Sequence, residues 1–172
     1  MYLPSDDSIF LSNIVNHYHG ELALEIGAGS GIILKELSKN FRVVIGTDID
    51  FDSLKHSQNV LKNNGLICSD AASSIHDIRF DLIVTNPPYL PNNPNHVDKT
   101  IDGGPTGIEA SIHILTSALD KLSENGKILI VVSSLSEKKK LESFISENNL
   151  VMQHIAQKDL FYESLEIIEI SR

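Results

Sequence analysis

The chain has 172 residues and a mass of 19.0 kDa, the size of one ordinary domain. Hydrophobic residues make up 41% of it and charged residues 22%, so disordered, collagen-like and coiled-coil architectures match it poorly. Acidic residues outnumber Lys and Arg by 23 to 14, and a net charge of −9 argues against a wide grip on a phosphate backbone. The start of the chain lacks a signal-peptide pattern and its single cysteine allows no internal disulfide, so we expect a soluble cytoplasmic protein.

Short β-branched runs alternate with amphipathic segments along the whole chain. Strands are predicted at 22–26, 43–47, 66–68, 80–84, 127–132, 151–155 and 165–170. Apolar residues at helical spacing predict helices around 32–37, 54–61 and 112–122. Asp50 is predicted to cap the second helix, and Thr106 with Glu109 to form a capping box for the third.

This alternation predicts the fold class. Strands that are apolar on both faces and joined through helices indicate an α/β fold with a doubly wound, mostly parallel seven-stranded sheet. We expect a single domain over residues 1–172, with an N-terminal entry segment and helix at 1–19. Residues 90–105 are rich in Asn, Pro and Gly, and a loop of that length without regular structure is usually functional, here on the substrate side.

A glycine-rich turn follows the first predicted strand. Glu25 precedes Gly27, Gly29 and Gly31, and glycines let the backbone turn sharply and let a ligand approach it closely. The dinucleotide fingerprint would need its third glycine one position later, where Ile32 stands. The spacing instead resembles the nucleoside-binding loop of class I S-adenosylmethionine methyltransferases. The alternative is a turn that only connects a strand to a helix.

Acidic side chains follow the second and third strands. Asp48 lies about twenty residues beyond the first glycine, where such folds hold a ribose diol. Asp70 stands where the methyltransferase class often contacts the adenine or its amine, and a plain turn aspartate is the alternative there. Asp50 and Asp52 are assigned to helix capping and to the helix dipole.

Asn86-Pro87-Pro88-Tyr89 follows the fourth strand directly. The prolines fix a rigid corner and remove two N–H donors, which leaves the carbonyls of Asn86 and Pro87 as acceptors. The Asn86 side-chain oxygen is a third acceptor and Tyr89 supplies a flat wall. Such a corner suits a planar NH₂ group whose lone pair faces a methyl donor, whereas the alternative is a stiff turn without chemistry.

The corner resembles the signature of amino-group methyltransferases that act on adenine N6, guanine N2 or glutamine N5. Residues 4–11, with Ser8 in place of the usual Thr, resemble the entry segment of HemK-like glutamine methyltransferases. Residues 102–109 resemble the Asp-Gly-Gly segment that follows the corner in that family, and residues 156–165 the end of its short archaeal and eukaryotic branch. The resemblance therefore covers nearly the whole chain.

This resemblance implies a Rossmann-like class I methyltransferase fold and S-adenosylmethionine as the cofactor. It implies catalytic roles for Asn86, Pro87 and Tyr89, and cofactor contacts from Ser8, Glu25, Gly27, Gly29, Gly31, Asp48, Asp70 and Asn86. The short branch methylates the glutamine of the Gly-Gly-Gln motif in class-1 translation release factors, often as a heterodimer with a small zinc-binding activator subunit.

Two other functions stay open at the level of sequence. A DNA or RNA amino-group methyltransferase would use the same corner, but the acidic composition counts against it. A noncatalytic nucleoside-binding protein would not need the intact corner beside the glycine turn. The seven histidines lack ligand spacing, so no metal site is predicted, and Cys68 is expected to be a small buried hydrophobe.

Overall fold

The computed structural model describes residues 6–58, 65–93, 98 and 100–172. Within these ranges the strands are β1 (Gly20–Ile26), β2 (Phe41–Asp48), β3 (Gly65–Cys68), β4 (Phe80–Thr85), β5 (Leu122–Ser133), β6 (Val151–Asp159) and β7 (Ser164–Ser171). The helices are α1 (Asp6–Val15), α2 (Ile32–Asn40), α3 (Phe51–Gln58), α4 (Glu109–Ala118) and α5 (Lys138–Glu147), and a 3₁₀ turn at Leu119–Lys121 follows α4. All seven predicted strands are confirmed.

The strands form one sheet in the order β3-β2-β1-β4-β5-β7-β6. The first five strands of that order pair in parallel, and β7 runs antiparallel to both β5 and β6. The predicted doubly wound, mostly parallel sheet is therefore confirmed. The chain moves outward from β1 to β3 and then returns to β4, so the winding reverses between β1 and β4.

Two apolar cores cover the two faces of the sheet, as a doubly wound fold requires. One contains buried residues of α1, α2 and α3, and the other contains buried residues of α4 and α5. The central strands β4 and β5 contribute alternate side chains to each core, which is why they are apolar on both faces. Within the part of the chain described here, no helix has the length and apolar character needed to cross a bilayer.

The fifth strand begins earlier than predicted. The predicted helix through Leu122 ends at Ala118, and Leu122 already belongs to β5. Between Leu122 and Lys127 strand β5 advances five residues, while β4 advances two, from Phe80 to Leu82. The extra residues form an irregularity in the register, so β5 starts five residues before the predicted start at position 127.

Helix capping follows the predictions in part. Asp50 caps α3, because its carboxylate accepts the Asp52 N–H at 3.1 Å and the Ser53 hydroxyl at 2.9 Å. The capping box before α4 is only half formed. Glu109 accepts the N–H and the hydroxyl of Thr106, but α4 starts at Glu109, so the Thr106 hydroxyl donates to the carboxylate instead of accepting a helix N–H.

The prediction of a buried Cys68 is wrong, because its side chain is exposed. Strand β3 stands at the end of the sheet order, and the thiol at its last residue contacts the Ile49 carbonyl at 3.7 Å. The predicted continuation of the second helix to Leu61 and the start of the entry segment at Pro4 lie outside the described residues.

Candidate active site

A cavity of about 490 Å³ lies at the carboxyl ends of β1, β2 and β4. This is the point where the winding of the sheet reverses, which is where open α/β folds bind ligands. The first turn of α1 and the side of α4 complete its walls. The cavity brings together nine of the predicted site residues: Ser8, Glu25, Gly27, Gly29, Asp48, Asp70, Asn86, Pro87 and Tyr89.

The glycine turn is shaped by backbone bonds to the next strand. The N–H groups of Gly27 and Ala28 donate to the Thr47 carbonyl at 2.8 and 2.9 Å. Gly27 has a φ of 81°, and a Cβ placed on it would meet no atom of the described residues within 4 Å, so its open side faces the cavity. Gly31 is different: a Cβ there would lie 3.2 Å from the Ser57 Cβ, so this glycine packs against α3 and does not line the cavity.

Asp48 fixes the other side of the same turn. One of its carboxylate oxygens accepts the Gly29 N–H at 2.8 Å, and the other accepts the Asp50 N–H at 2.9 Å. Each oxygen keeps a further lone pair for a ligand hydroxyl, because a carboxylate offers about four acceptor positions. Asp48 is therefore both a support of the glycine turn and an available acceptor at the cavity wall.

Glu25 carries a buried carboxylate. The residue is 2% exposed, and Oε2 has no hydrogen-bond partner among the described residues. Burial raises the pKa of Glu25 well above its ordinary value; the Leu34 N–H opposes this shift and the charge of Asp48 adds to it. A buried carboxylate of this kind destabilises the fold unless a cation or a hydrogen-bond donor pairs with it, so the site suits a positively charged ligand group.

The Asn86 corner contains a second buried hydrogen-bond acceptor without a partner among the described residues. The Asn86 amide nitrogen donates to the Ser8 hydroxyl at 3.4 Å, while Oδ1 is buried without a partner among the described residues. The Thr85 hydroxyl donates to the Ile26 carbonyl at 3.0 Å and so ties the end of β4 to the end of β1. Pro87 is buried beside them. The side-chain oxygen of Asn86 is thus available for an N–H donor that enters the cavity.

Asp7 was missed by the sequence analysis as a site residue. It is 3% exposed, and its Oδ2 accepts the Tyr89 hydroxyl at 2.9 Å, which fixes the ring that forms one wall. The signal available in the sequence was its position next to Ser8 in the entry segment. The pairing itself spans 82 positions of the chain and depends on how α1 meets the corner.

His113 is the other residue that the sequence analysis missed. Its Nε2 lies 2.8 Å from Oδ1 of Asp70, and both side chains are more than half exposed at the cavity wall. His113 lies in the middle of α4, where helical spacing alone gave no reason to single it out. The contact holds the Asp70 carboxylate at the cavity rim.

The segment 90–105 is less irregular than predicted at its two ends. Leu90 donates its N–H to the Ile101 carbonyl and accepts from the Gly103 N–H, and Asn92 donates to the Gly104 carbonyl. Both arms of the loop therefore pair with each other beside the corner. The tip includes 94–97 and 99, which lie outside the described residues.

The cavity is strongly acidic. Five carboxylates line it, and the described lining residues include neither Lys nor Arg; the acids are Asp7, Glu25, Asp48, Asp50 and Asp70. An acidic, partly closed site attracts cations and repels phosphates. Among the described residues no group of three or more His, Cys, Asp or Glu side chains is arranged to hold a metal ion.

Comparison with known proteins identifies similar chains. A family model described as "Methyltransferase small domain" matches residues 6–162. "Putative protein N5-glutamine methyltransferase MJ0928" of Methanocaldococcus jannaschii is 27% identical, over 98% of this chain and 90% of that protein. Ribosomal RNA small subunit methyltransferase C of Serratia proteamaculans is 30% identical over 77% of this chain, which spans only 36% of that relative.

A solved structure supports the fold. The E. cuniculi Mtq2-Trm112 complex, described as responsible for methylation of the eRF1 translation termination factor, contains a chain that matches with a TM-score of 0.82. The identity is 22%, and the match covers 99% of this chain and 98% of that one.

Proposed function

The chain belongs to the methyltransferase small domain family, and we propose that it methylates the side-chain amide nitrogen N5 of a protein glutamine. The acceptor we propose is the glutamine of the Gly-Gly-Gln motif in a class-1 translation release factor. The observation that carries the proposal is the Asn86 corner, which lines the cavity and in which the buried Oδ1 has no partner among the described residues. The M. jannaschii relative is named for methylation of protein glutamine N5 and the E. cuniculi complex for methylation of a translation termination factor, and both names support the proposal.

The enzyme uses S-adenosylmethionine, which supplies a methyl group on a positively charged sulfur. The residues present fit this cofactor. Glu25 would receive its ammonium group, because the free Oε2 is the buried acceptor that needs a cation. Asp48 would accept the ribose hydroxyls, and the open face of Gly27 leaves room for close approach. We assign supporting cofactor contacts to Ser8, Gly29, Asp70 and Asn86, whereas Gly31 would act through the shape of the turn.

The corner can raise the reactivity of an amide. An amide nitrogen is a weak nucleophile because its lone pair is delocalised into the carbonyl group. We propose that Asn86 Oδ1 and the Pro87 carbonyl each accept one N–H bond of the target amide, which returns electron density to the nitrogen. The Tyr89 ring, held by Asp7, would keep the amide plane in position. The product nitrogen can lose its proton after the transfer, so no strong general base is required.

A nucleic-acid amino group is the competing acceptor. The ribosomal RNA relative favours it, because an adenine or guanine NH₂ would fit the same pair of acceptors. The five carboxylates of the cavity and the net charge of −9 oppose it, because a nucleic acid would bring phosphates to an acidic rim.

We also propose a small zinc-binding activator subunit, and a cytoplasmic location where a translation factor would be met. The E. cuniculi protein of similar fold is part of a two-protein complex, in which Trm112 is the second chain. Strand β3 supports the proposal, because it ends the sheet order and carries half-buried Leu66 and Ile67 beside exposed Cys68. An edge strand of this kind can accept a partner strand or apolar surface.

Incubation with methyl-labelled S-adenosylmethionine and three acceptors tests the proposal. Release factor, DNA and ribosomal RNA are compared at equal concentration, with and without the candidate subunit. We expect label on the release factor alone, at the glutamine of its Gly-Gly-Gln motif by peptide mass spectrometry. A release factor in which that glutamine is replaced by alanine is the matched control. Label on RNA or DNA and none on the release factor would contradict the proposal.

A further inference from the structure

The turn between β6 and β7 exposes two aromatic side chains. Phe161 is 90% and Tyr162 86% exposed, the highest fractions among the large hydrophobic residues described in the structure. Their rings contact each other edge to face, with centroids 4.6 Å apart. Leu135, in the segment after β5, adds an apolar side chain that is 49% exposed. Clustered exposed apolar side chains of this size mark an interaction surface.

The turn is held rigidly beneath these rings. The Leu160 N–H donates to the Glu163 carbonyl at 2.8 Å and closes the turn. The Glu163 carboxylate accepts the Ser133 hydroxyl, and the Ser164 N–H donates to Ser134 Oγ at 3.0 Å. The base of the turn is therefore fixed to the end of β5. A preorganised aromatic pair loses little conformational entropy when a partner binds.

The aromatic pair and the cavity lie at the same end of the sheet, where the parallel strands have their carboxyl ends. Leu165 of β7 pairs with Ser133, the last residue of β5, so the turn stands beside the carboxyl end of that strand. The turn joins β6 and β7, which are three and two positions from β4 in the sheet, so at a strand spacing of about 4.8 Å it is displaced by about 10–15 Å across the sheet from β4. Lys158 binds Asp6 at 2.7 Å, next to Asp7 at the cavity wall, so the turn between β6 and β7 and the cavity wall form one continuous rim.

Charge selects the class of partner for this rim. Asp159 and Glu163 flank the aromatic pair in sequence, and Lys158 is already paired with Asp6. Together with the five carboxylates of the cavity, this rim would repel a phosphate backbone and attract a basic polypeptide. Exposed Phe and Tyr rings also bind Arg and Lys side chains through cation–π contacts.

We infer that Phe161 and Tyr162 form a docking surface for the protein substrate, and that they take a basic segment of it next to the methyl-accepting glutamine. This inference rests on the proposed function and adds the surface that recognises the substrate. The cavity takes a single side chain of the substrate beside the cofactor, while the aromatic pair holds the substrate protein two to three strand positions away across the sheet. Recognition and chemistry are thus performed by different residues.

The test compares two double variants in steady-state methylation of a full-length class-1 release factor. Phe161→Ala with Tyr162→Ala removes the docking surface. Val151→Ala with Met152→Ala is the matched control, because these residues are also exposed but lie at the opposite end of β6. We expect the docking variant to raise KM for the release factor about 10- to 100-fold. Its kcat, its cofactor Kd by calorimetry and its melting temperature should stay at the wild-type values, and the control should match the wild type throughout.

Each other outcome has a distinct meaning. An unchanged KM in the docking variant, with active wild-type enzyme, overturns the docking inference and leaves the proposed function intact. Equal losses in both double variants also overturn it, because the effect would not be specific to the aromatic pair. If the wild-type enzyme methylates ribosomal RNA and no release factor, the proposed function fails and the docking inference fails with it.

Discussion

Glu25 and Asn86 each present a buried oxygen without a hydrogen-bond partner among the described residues, and both line the same cavity. A buried polar atom without a hydrogen bond lowers the stability of a folded protein by about 1–3 kcal/mol, and a ligand that supplies the missing bond removes this cost. The two atoms differ in charge. The Glu25 carboxylate suits a cation, whereas the neutral side-chain oxygen of Asn86 suits an uncharged N–H group, so we expect Glu25 to serve mainly the cofactor and Asn86 mainly the methyl acceptor.

Asn86→Ala tests the acceptor role. The substitution keeps both prolines of the corner and removes Oδ1, so methyl transfer should fall about 10²- to 10³-fold, as for loss of one preorganised polar contact. Cofactor affinity should change much less, because the glycine turn and Asp48 are intact. Single-turnover rates at saturating cofactor, with affinity measured separately, provide the test.

Asn40→Ala is the matched control for this variant. Asn40 ends α2, far from the glycine turn, and its amide donates to the Asn16 carbonyl at 3.1 Å. The control should transfer methyl groups at the wild-type rate.

Asn86→Asp keeps an acceptor of the same shape but adds a negative charge, and we expect partial activity. A wild-type rate for Asn86→Ala would mean that the corner is structural only.

Glu25→Gln should change both the pH dependence of the free energy of unfolding and the affinity for the cofactor. Because the pKa of Glu25 is raised above its ordinary 4.5, the folded protein holds this proton more tightly than the unfolded chain does. Its contribution to the free energy of unfolding therefore declines as pH rises from about 4.5 through the raised pKa. The substituted glutamine side chain is uncharged, so the variant should gain stability relative to the wild type as pH increases, and should bind the cofactor about 10- to 100-fold more weakly.

Urea unfolding at pH 5 and pH 8 and calorimetric titration of S-adenosylmethionine provide the two measurements. Glu21→Gln is the control, because that carboxylate is exposed and pairs with Arg42 on the surface. If Glu25→Gln showed the same pH dependence as the wild type, the buried carboxylate would not be the group that titrates.

At the scale of elements, the segment after the corner requires glycine at position 107. Gly107 has a φ of 77°, and a Cβ placed there would lie 2.5 Å from the Tyr89 carbonyl oxygen. Backbone contact this close cannot relax through a side-chain movement, so the segment can adopt its path only with glycine at this position. The pairing of Leu90 with residues 101 and 103 then holds the loop beside the Asn86 corner.

Gly107→Ala should therefore lower stability and activity together. The left-handed conformation alone costs about 1–2 kcal/mol for alanine, and the clash with the Tyr89 backbone adds to this. Gly65→Ala is the matched control, because its φ is not positive and the nearest atom to a new Cβ among the described residues is 3.8 Å away. Thermal unfolding and kcat measure the two effects. A Gly107→Ala protein that matches the Gly65→Ala protein in both would contradict this role of the loop.

The sequence predicts local features well and long-range pairings poorly. The strands, the Asp50 cap and the glycine turn follow from spacing, because their causes lie within a few residues. The Asp7–Tyr89 and Asp70–His113 contacts join residues 82 and 43 positions apart, so no local pattern reports them. Cys68 was misplaced for the same reason, because only the order of the strands shows that β3 is an edge.

At the scale of the whole molecule, the two edges of the sheet differ. Strand β6 carries Lys158 and Asp159 along with several polar residues, and charged side chains of this kind discourage pairing with another strand. Strand β3 is Gly65-Leu66-Ile67-Cys68 and has no charged side chain. The unprotected edge is therefore β3, which is the surface where we expect the activator subunit to bind.

The single cysteine offers a direct test of that interface. Cys68 is exposed at the end of β3, and no second cysteine in the chain competes for a thiol reagent. In the isolated chain it should react rapidly with a maleimide, and in the complex with the zinc-binding subunit its labelling should slow about tenfold or more, since a buried interface excludes the reagent. Mass spectrometry of this chain alone measures the labelled fraction.

Val151→Cys in a Cys68→Ser background is the control at the other edge, where Val151 is 59% exposed, and it should label equally in both states. Equal labelling of Cys68 in both states would place the subunit elsewhere, and an isolated chain that is monodisperse and fully active would remove the need for one.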